Sequence, residues 1–273
     1  MTALAPTTTL VRPPGLGGER IARLGDRARL CGLYDQQGAP LYDDLAAADG
    51  FEIRDIVGAV RAAGDGPVLD LAAGAGRFTL PLLATGREVT ALDLSDHMLE
   101  LLRSRLARAP KALRERCTVV QGDMAAFDLR REYAHIVLGT TSLSLLDEAG
   151  RAGLYRSVAA HLAPGGQFLL SVMERADDEA PTEVHAQVKG AGGTMYDLYE
   201  YWPAGAAFRY VTIAPSAPAE GPVTVCVDEV GTMSIAAIEA ELAEAGLAIA
   251  GRRPLSGPGD RHRVSLLKAV AAR

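Results

Sequence analysis

The segment of this 273-residue chain best suited to chemistry is Asp70-Leu71-Ala72-Ala73-Gly74-Ala75-Gly76, a carboxylate followed by a glycine-rich turn. Gly74 and Gly76 let a ligand approach the backbone and let the following helix pack closely on the preceding strand. A dinucleotide-binding turn reads GxGxxG. This one reads AxGxG, and its acid would repel a pyrophosphate held at the helix start. A ligand carrying an ammonium and a sulfonium is attracted instead, and S-adenosylmethionine (SAM) is such a ligand. Asp93, 17 residues beyond Gly76, ends a second apolar run, where a carboxylate can accept hydrogen bonds from both hydroxyls of a ribose. NAD-dependent enzymes use an acid there too, so the choice of SAM rests on Asp70 and Asp93 together.

Gly122-Asp123-Met124 adds an acceptor for an adenine amino group. Met98 and Met124 are candidates for an apolar wall, with plain core packing as their alternative. Ala72, Leu94 and the pair Gly139-Thr140 complete the expected cofactor set. Gly139-Thr140 follows the fourth strand, outside whose carboxyl end the transferable methyl should be presented. The Asn/Asp-Pro-Pro-aromatic run of nucleobase amino methyltransferases is absent from this stretch.

These residues need a scaffold, and the patterning supplies one. From Gly66 onward short apolar runs alternate with helical stretches, the mark of βαβ units and a parallel sheet. Strands are predicted at 68–71, 89–93, 117–121, 134–138 and 167–173. Ser95 caps a helix whose Met98, Leu99, Leu102 and Leu106 recur at spacings of three and four. Another helix carries Leu154, Val158 and Leu162 up to Pro164-Gly165-Gly166. Residues 1–18 read as a loose tail and 19–65 as N-terminal cap helices (about 19–32, 38–48 and 52–63) over the open edge of the site. Residues 66–179 form the SAM-binding core, 180–232 an inserted antiparallel substrate cap, and 233–273 a helix and two strands completing the core.

Bulk properties narrow the partners. The formal net charge of −6 disfavours nucleic acid. Five arginines at 12, 20, 23, 27 and 29 form a local exception, read as a solvated helix face or, alternatively, a grip on an acidic partner. No apolar run reaches the ~18 residues a membrane helix needs. Met1 to Pro14 lacks the features of a signal peptide. Three widely spaced cysteines, Cys31, Cys117 and Cys226, argue against a disulfide framework or a metal knuckle, so no metal and a cytoplasmic setting are expected. The chain is expected to act as a monomer or homodimer.

Four motifs in order resemble the class I SAM-dependent methyltransferases: Asp70 to Gly76, Ala91-Leu92-Asp93-Leu94-Ser95, Gln121-Gly122-Asp123-Met124 and Leu162-Ala163-Pro164-Gly165-Gly166. The likeness covers roughly residues 30–175, with Ala72 standing where many members have Gly. It implies a Rossmann-like seven-stranded α/β sheet, SAM as cofactor and S-adenosylhomocysteine as product. Leu30 to Asp35, Arg116 to Met124 and Gly153-Leu154-Tyr155 further resemble actinobacterial peptide-antibiotic N-methyltransferases, of the glycopeptide and daptide-type ribosomal peptide branches. That resemblance implies an amine acceptor on a peptide natural product, dimethylated in the daptide-type case, and a Tyr34 hydroxyl bonded to the cofactor's methionine end. Asp228 and Glu229 depart from the basic or His residues expected in the glycopeptide branch.

Methyl transfer to nitrogen needs a neutral amine, so a nearby carboxylate or imidazole is sought as proton acceptor. Asp35, after Tyr34, is the first candidate, and His185 the second; His97, His135 and His161 fall within scaffold elements. Tyr196, Tyr199, Tyr201, Trp202, Phe208 and Tyr210 bring six of the chain's fourteen aromatics (eight Tyr, five Phe, one Trp) into the insertion. Tyr196, Tyr199, Tyr201 and Trp202 are the candidate substrate surface, with a small sheet core or a dimer contact as the alternatives. The rival readings are a small-molecule methyltransferase of secondary metabolism (an amino-sugar N-methyltransferase, for example), a cofactor-retaining binding protein, and a NAD(P)-dependent oxidoreductase.

Overall fold

The structure, a computed structural model, describes residues 12–48, 50, 52–139, 142–175, 182–218, 220–255 and 262–272. The chain runs through α1 (Gly15–Leu24), β1 (Ala28–Cys31), α2 (Ala39–Ala48), α3 (Ile53–Ala62), β2 (Val68–Leu71), α4 (Thr79–Leu83), β3 (Val89–Asp93) and α5 (Asp96–Arg108). It continues with α6 (Lys111–Arg114), β4 (Cys117–Gln121), β5 (Tyr133–Leu138), α7 (Glu148–His161), β6 (Leu162–Arg175) and β7 (Glu183–Lys189). The last elements are β8 (Met195–Tyr201), β9 (Phe208–Pro215), β10 (Val223–Gly231), α8 (Ile235–Glu244), β11 (Leu247–Pro254) and β12 (His262–Ala271). They divide into two compact units, one of residues 49–180 and 231–273, the other of 1–48 and 181–230.

The larger unit is built on a seven-stranded sheet in the order β11-β12-β6-β5-β2-β3-β4. β2 pairs in parallel with both β3 and β5, and β12 alone runs antiparallel to β6. β2 reads Val-Leu-Asp-Leu without a polar alternation because both of its faces are covered, and all four residues are buried. On one face Val68, Val89, Ala91 and Val137 pack with Ile56 and Val60 of α3, Leu82 of α4, and Leu99 and Leu102 of α5. On the other, Leu69, Ile136 and Phe168 pack with Leu154 and Val158 of α7 and Ile238 and Leu242 of α8. Each fully buried Leu or Ile in these layers contributes roughly 1.5–3 kcal/mol, which fixes the strand ends firmly. Ser95 caps α5 by accepting the Met98 N–H, as its sequence position implied. The strand order reverses between β2 and β5, so their carboxyl ends open a crevice of the kind that holds ligands in α/β sheets.

The second unit is a five-stranded sheet, β1-β10-β9-β8-β7. β7, β8 and β9 pair antiparallel, and β1 pairs in parallel with β10, Cys31 opposite Cys226. Strand alternation gives the sheet two apolar faces. Val223, Val225, Val227 and Ala214 pack on Ile21 and Leu24 of α1. Cys31, Cys226, Tyr196, Val211 and Ile213 pack on Leu41 of α2 and on Leu33, with Tyr34, Tyr42 and Val230 around them.

Two expectations need correction here. The helix expected over 19–32 ends at Leu24, because Gly25 takes φ +54° and a short 3-10 turn leads directly into β1. The expected 52–63 helix forms as α3, but it belongs to the core of the larger unit rather than to a cap. Of the five arginines, Arg12, Arg23, Arg27 and Arg29 are exposed and Arg20 is half-buried, which agrees with a solvated face, and four of them also bond backbone carbonyls. Arg12 bonds Gly18 O, Arg20 bonds Pro215 O, Arg27 bonds Gly221 O and Arg29 bonds Asp26 O. Within the expected tail, Gly15 to Gly18 open α1, while residues 1–11 lie outside the described residues.

Candidate active site

The turn after β2 is shaped from beneath. Asp70 is wholly buried, and its Oδ2 accepts the Thr79 hydroxyl at 2.6 Å, while Oδ1 has no partner. Burial drives its pKa up to about 7 against the pull of the Thr79 bonds, and the charge of Asp93 pushes the same way. Asp70 ties the start of α4 under the turn, and its charge acts on the crevice from below.

The turn itself is bare. Gly74 (φ +54°) and Gly76 (φ +93°) adopt left-handed backbone, and a Cβ at 76 would lie 2.5 Å from Leu102 Cδ1. Ala72 also sits at φ +51°, a conformation that costs an alanine about 1–2 kcal/mol and that glycine adopts freely. The departure from the family's usual glycine thus falls where the backbone still demands one.

Asp93, at the end of β3, is half-buried. Its Oδ2 accepts the Gly74 N–H at 2.7 Å and its Oδ1 the Ser95 N–H at 2.8 Å, so it joins two turns at the crevice. Burial raises its pKa, opposed by these backbone donors. Each oxygen keeps a lone pair for a further donor. Next to it Leu94 is 52% exposed, an apolar side chain held in solvent beside the bare turn. Met98 is buried against the turn, its Cε 3.1 Å from where a Cβ on Gly74 would stand. Met124 is buried in the α7 layer. Asp123 is exposed, and its Oδ1 accepts the Ala125 N–H at 2.8 Å. Gly139 follows β5 and lies against the Phe78 ring, which a Cβ there would meet at 2.2 Å. Thr140 lies outside the described residues. An adenosine with a cationic tail fits this donor set: ribose acceptor, exposed apolar platform, open backbone. A cleft of about 560 Å³ lined by Arg130, Arg156 and His161 lies at the opposite ends of the strands and plays no part in it.

In the five-stranded unit the candidate residues scatter. Asp35 spends its carboxylate on the turn before α2, accepting the N–H groups of Gly32, Gln37 and Gly38 at 2.9 Å each. Tyr34 meets Tyr42 edge-on at 4.9 Å. His185 lies across the sheet from both. It stacks on Tyr199 at 4.6 Å, bonds Asp197 Oδ1 at 3.0 Å through Nε2, and shares the α1 face. The two alternative proton acceptors, Asp35 and His185, therefore lie on opposite faces of the sheet. The expected aromatic surface divides likewise. Tyr199 and Tyr201 lie under Gly17 and Gly15 of α1, whereas Tyr196 is buried on the α2 face with its hydroxyl donating to Asp44 at 2.9 Å. Trp202 is buried near Arg209, whose guanidinium lies 5.9 Å from its ring centre and pairs with Glu200 at 3.0 Å. These aromatics serve mainly as the sheet's own core.

Asp228, which in the sequence stands out only as a departure from the glycopeptide branch, takes a more specific place in the fold. It shares the α2 face with Cys226 and Val230, and its Oδ2 accepts the Leu33 N–H at 2.6 Å. Burial, with the nearby Asp35 charge, raises its pKa to about 6. Its Oδ1 and the Asp35 Oδ2 both approach the space above Gly32, at 3.9 and 3.8 Å from a Cβ built there. The available signal was an acid at an inward position of an alternating strand, Cys226-Val227-Asp228-Glu229-Val230.

Residues 68–166 match a family described as methyltransferase domain. The glycopeptide N-methyltransferase MtfA, solved with SAM, is 34% identical with a TM-score of 0.67, covering 96% of this chain and 99% of that one. The CcbJ methyltransferase from Streptomyces caelestis shares the fold, with a TM-score of 0.75 at 23% identity over 89% of this chain and 99% of that chain. Carboxy-S-adenosyl-L-methionine synthase of Aeromonas salmonicida (strain A449) is 29% identical over 191 residues, 63% of this chain and 72% of its own length. With its strand order, its glycine turn and a full-length relative at this identity, the chain belongs to the class I SAM-dependent methyltransferases.

Proposed function

We propose that this methyltransferase places the methyl group of SAM on an amine of a peptide natural product, twice on one nitrogen. The observation that carries the reading is the full-length likeness to a glycopeptide N-methyltransferase, which spans the five-stranded unit as well as the core. SAM supplies an electrophilic methyl on a sulfonium, and the chain's own residues bind, orient and handle the proton. Asp93 would take the ribose hydroxyls, Leu94 and Met98 the adenine face, Asp123 the adenine amino group, with Met124 behind. Ala72, Gly74 and Gly76 offer backbone to the methionine end, and Gly139 borders the methyl.

Asp228 is the better proton acceptor, because Asp35 already holds three backbone N–H groups. Its value near 6 also bears on the acceptor. An alkylammonium near ~10 would give up its proton to it at a cost of about 5 kcal/mol, a peptide α-ammonium near ~8 at about 3 kcal/mol. A peptide α-amine is the more easily deprotonated of the two, whichever carboxylate accepts its proton. The reading extends to a cytoplasmic enzyme of antibiotic or ribosomal peptide biosynthesis. Purified enzyme with SAM should add 14 and then 28 Da (one and two CH2 increments) to a peptide with a free N-terminus. Unchanged methylation after N-acetylation of that peptide would sink the amine assignment.

A further inference from the structure

The cysteines, far apart in sequence, hold an arrangement that neither the cofactor site nor the proposed amine chemistry uses. Cys31 and Cys226 face each other across the parallel β1–β10 pair, their Cα positions in direct register. Their Sγ atoms are 3.5 Å apart, and both residues are buried, with 2% and 0% of their surface exposed. Adjacent strands lie about 4.8 Å apart, inside the Cα separation of roughly 4.4–6.8 Å that a disulfide spans. The sulfurs need to close by about 1.5 Å to reach the bond length of ~2.05 Å.

We propose that Cys31 and Cys226 form a reversible, hydroperoxide-oxidisable dithiol whose closure staples the N-terminal strand β1 to β10. The balance is simple. One thiol is oxidised by a hydroperoxide to a sulfenic acid, releasing water (or an alcohol). The second thiol then displaces hydroxide from that sulfur, forming the S–S bond and a second water. Two thiols lose two electrons and two protons, and the peroxide O–O bond accepts them. A dithiol reductant reverses the step by exchange.

Access sets the rate. The proton shared with Cys31, and then burial, hold the Cys226 thiol far above the ordinary thiol range, so the packed pair reacts slowly. β1, however, is a four-residue strand at the edge of its sheet, and short edge strands open locally well below the global unfolding energy. Oxidation in an open state and reclosure would trap the strand. The third cysteine, Cys117, lies on β4 in the other unit and serves as an internal control.

The test uses the full chain, reduced and then treated with hydrogen peroxide. It is denatured, alkylated with N-ethylmaleimide and weighed intact. The reduced chain should take three adducts. The oxidised chain should be 2 Da lighter before alkylation and take one adduct, with a Cys31 peptide linked to a Cys226 peptide in the digest. Amide exchange at Leu30 and Cys31 should slow at least tenfold, and Tm should rise by about 5 °C or more, both reversed by dithiothreitol. Cys117→Ser should respond identically, with no adduct after oxidation. Cys226→Ser should lose the response, and Cys31→Ala serves if that variant fails to fold. Three adducts after peroxide, a link involving Cys117, irreversible addition of oxygen, or a mapped disulfide that leaves β1 exchange unchanged would each overturn the proposal. None of these readouts requires an acceptor substrate.

Discussion

Asp70→Asn should stabilise the protein at neutral and alkaline pH while weakening its grip on SAM. A free aspartate titrates near 3.8, and Asp70 in the fold near 7. The folded state thus binds the proton more tightly than the unfolded state, and stability falls as pH rises through that window. At ~1.36 kcal/mol for each pKa unit the full cost above pH 7 is about 4 kcal/mol. Asparagine removes the charge, keeps one oxygen for the Thr79 hydroxyl, and places its amide nitrogen where Oδ1 has no partner, a penalty of ~1–3 kcal/mol. The net expectation at pH 8 is a gain of roughly 1–3 kcal/mol, or ~2–10 °C in Tm, which vanishes between about pH 4.5 and 6 and turns into a loss of ~1–3 kcal/mol below about pH 4. Urea melts of both proteins between pH 4 and 8 measure the slope directly, and calorimetry with SAM measures the loss of affinity. A mutant less stable at pH 8 with the wild-type pH slope intact would refute the burial argument, because the slope would then originate elsewhere.

Asp93→Ala removes the acceptor for Gly74 and Ser95 N–H groups, and should weaken SAM binding by about tenfold to a hundredfold in calorimetry. Asp228→Asn should cut kcat by about 10²–10⁴ while SAM affinity stays within twofold. In the parent enzyme kcat should rise with pH through about 6, as Asp228 loses its proton, and the mutant should lack that limb. Asp35→Ala should lower Tm, since three backbone N–H groups lose their partner, and a stability unchanged within 1 °C would show that the turn does not need it. Gly139→Ala should cost about 1–3 kcal/mol in urea melts, because Phe78 must leave its place in the core.

The core was legible because its signals are local. β2, β3, β4 and α5 fall where apolar runs and Ser95 placed them, since period and capping are decided within a few residues. β1 was not legible. Ala28 to Cys31 continues the helical spacing of Ile21 and Leu24, and only its pairing with Val223 to Cys226, some 195 residues away, makes it a strand. The site divides along the same line. The residues lining the glycine turn could be named, but the burial of Asp70 under Thr79 depends on how α4 returns over β2. Asp228 gains its character from Leu33 and Asp35, which the chain reaches only by folding back. The insertion aromatics were ambiguous because a two-faced small sheet needs large side chains for its own interior, and Tyr196 and Tyr199 went there on opposite faces.

The five-stranded unit is assembled from two stretches of chain with the core lying between them in sequence. On the ribosome this imposes a wait. β1 emerges early, but its neighbour in the sheet is synthesised some 195 residues later, about 10–40 s at ~5–20 residues per second. During that interval the first segment has no sheet to join, while β2 to β6 can already pair among themselves. Nascent chains halted before β10 should therefore expose their amino-terminal residues to protease and engage chaperones there, and release should follow only once Val223 to Cys226 has cleared the exit tunnel.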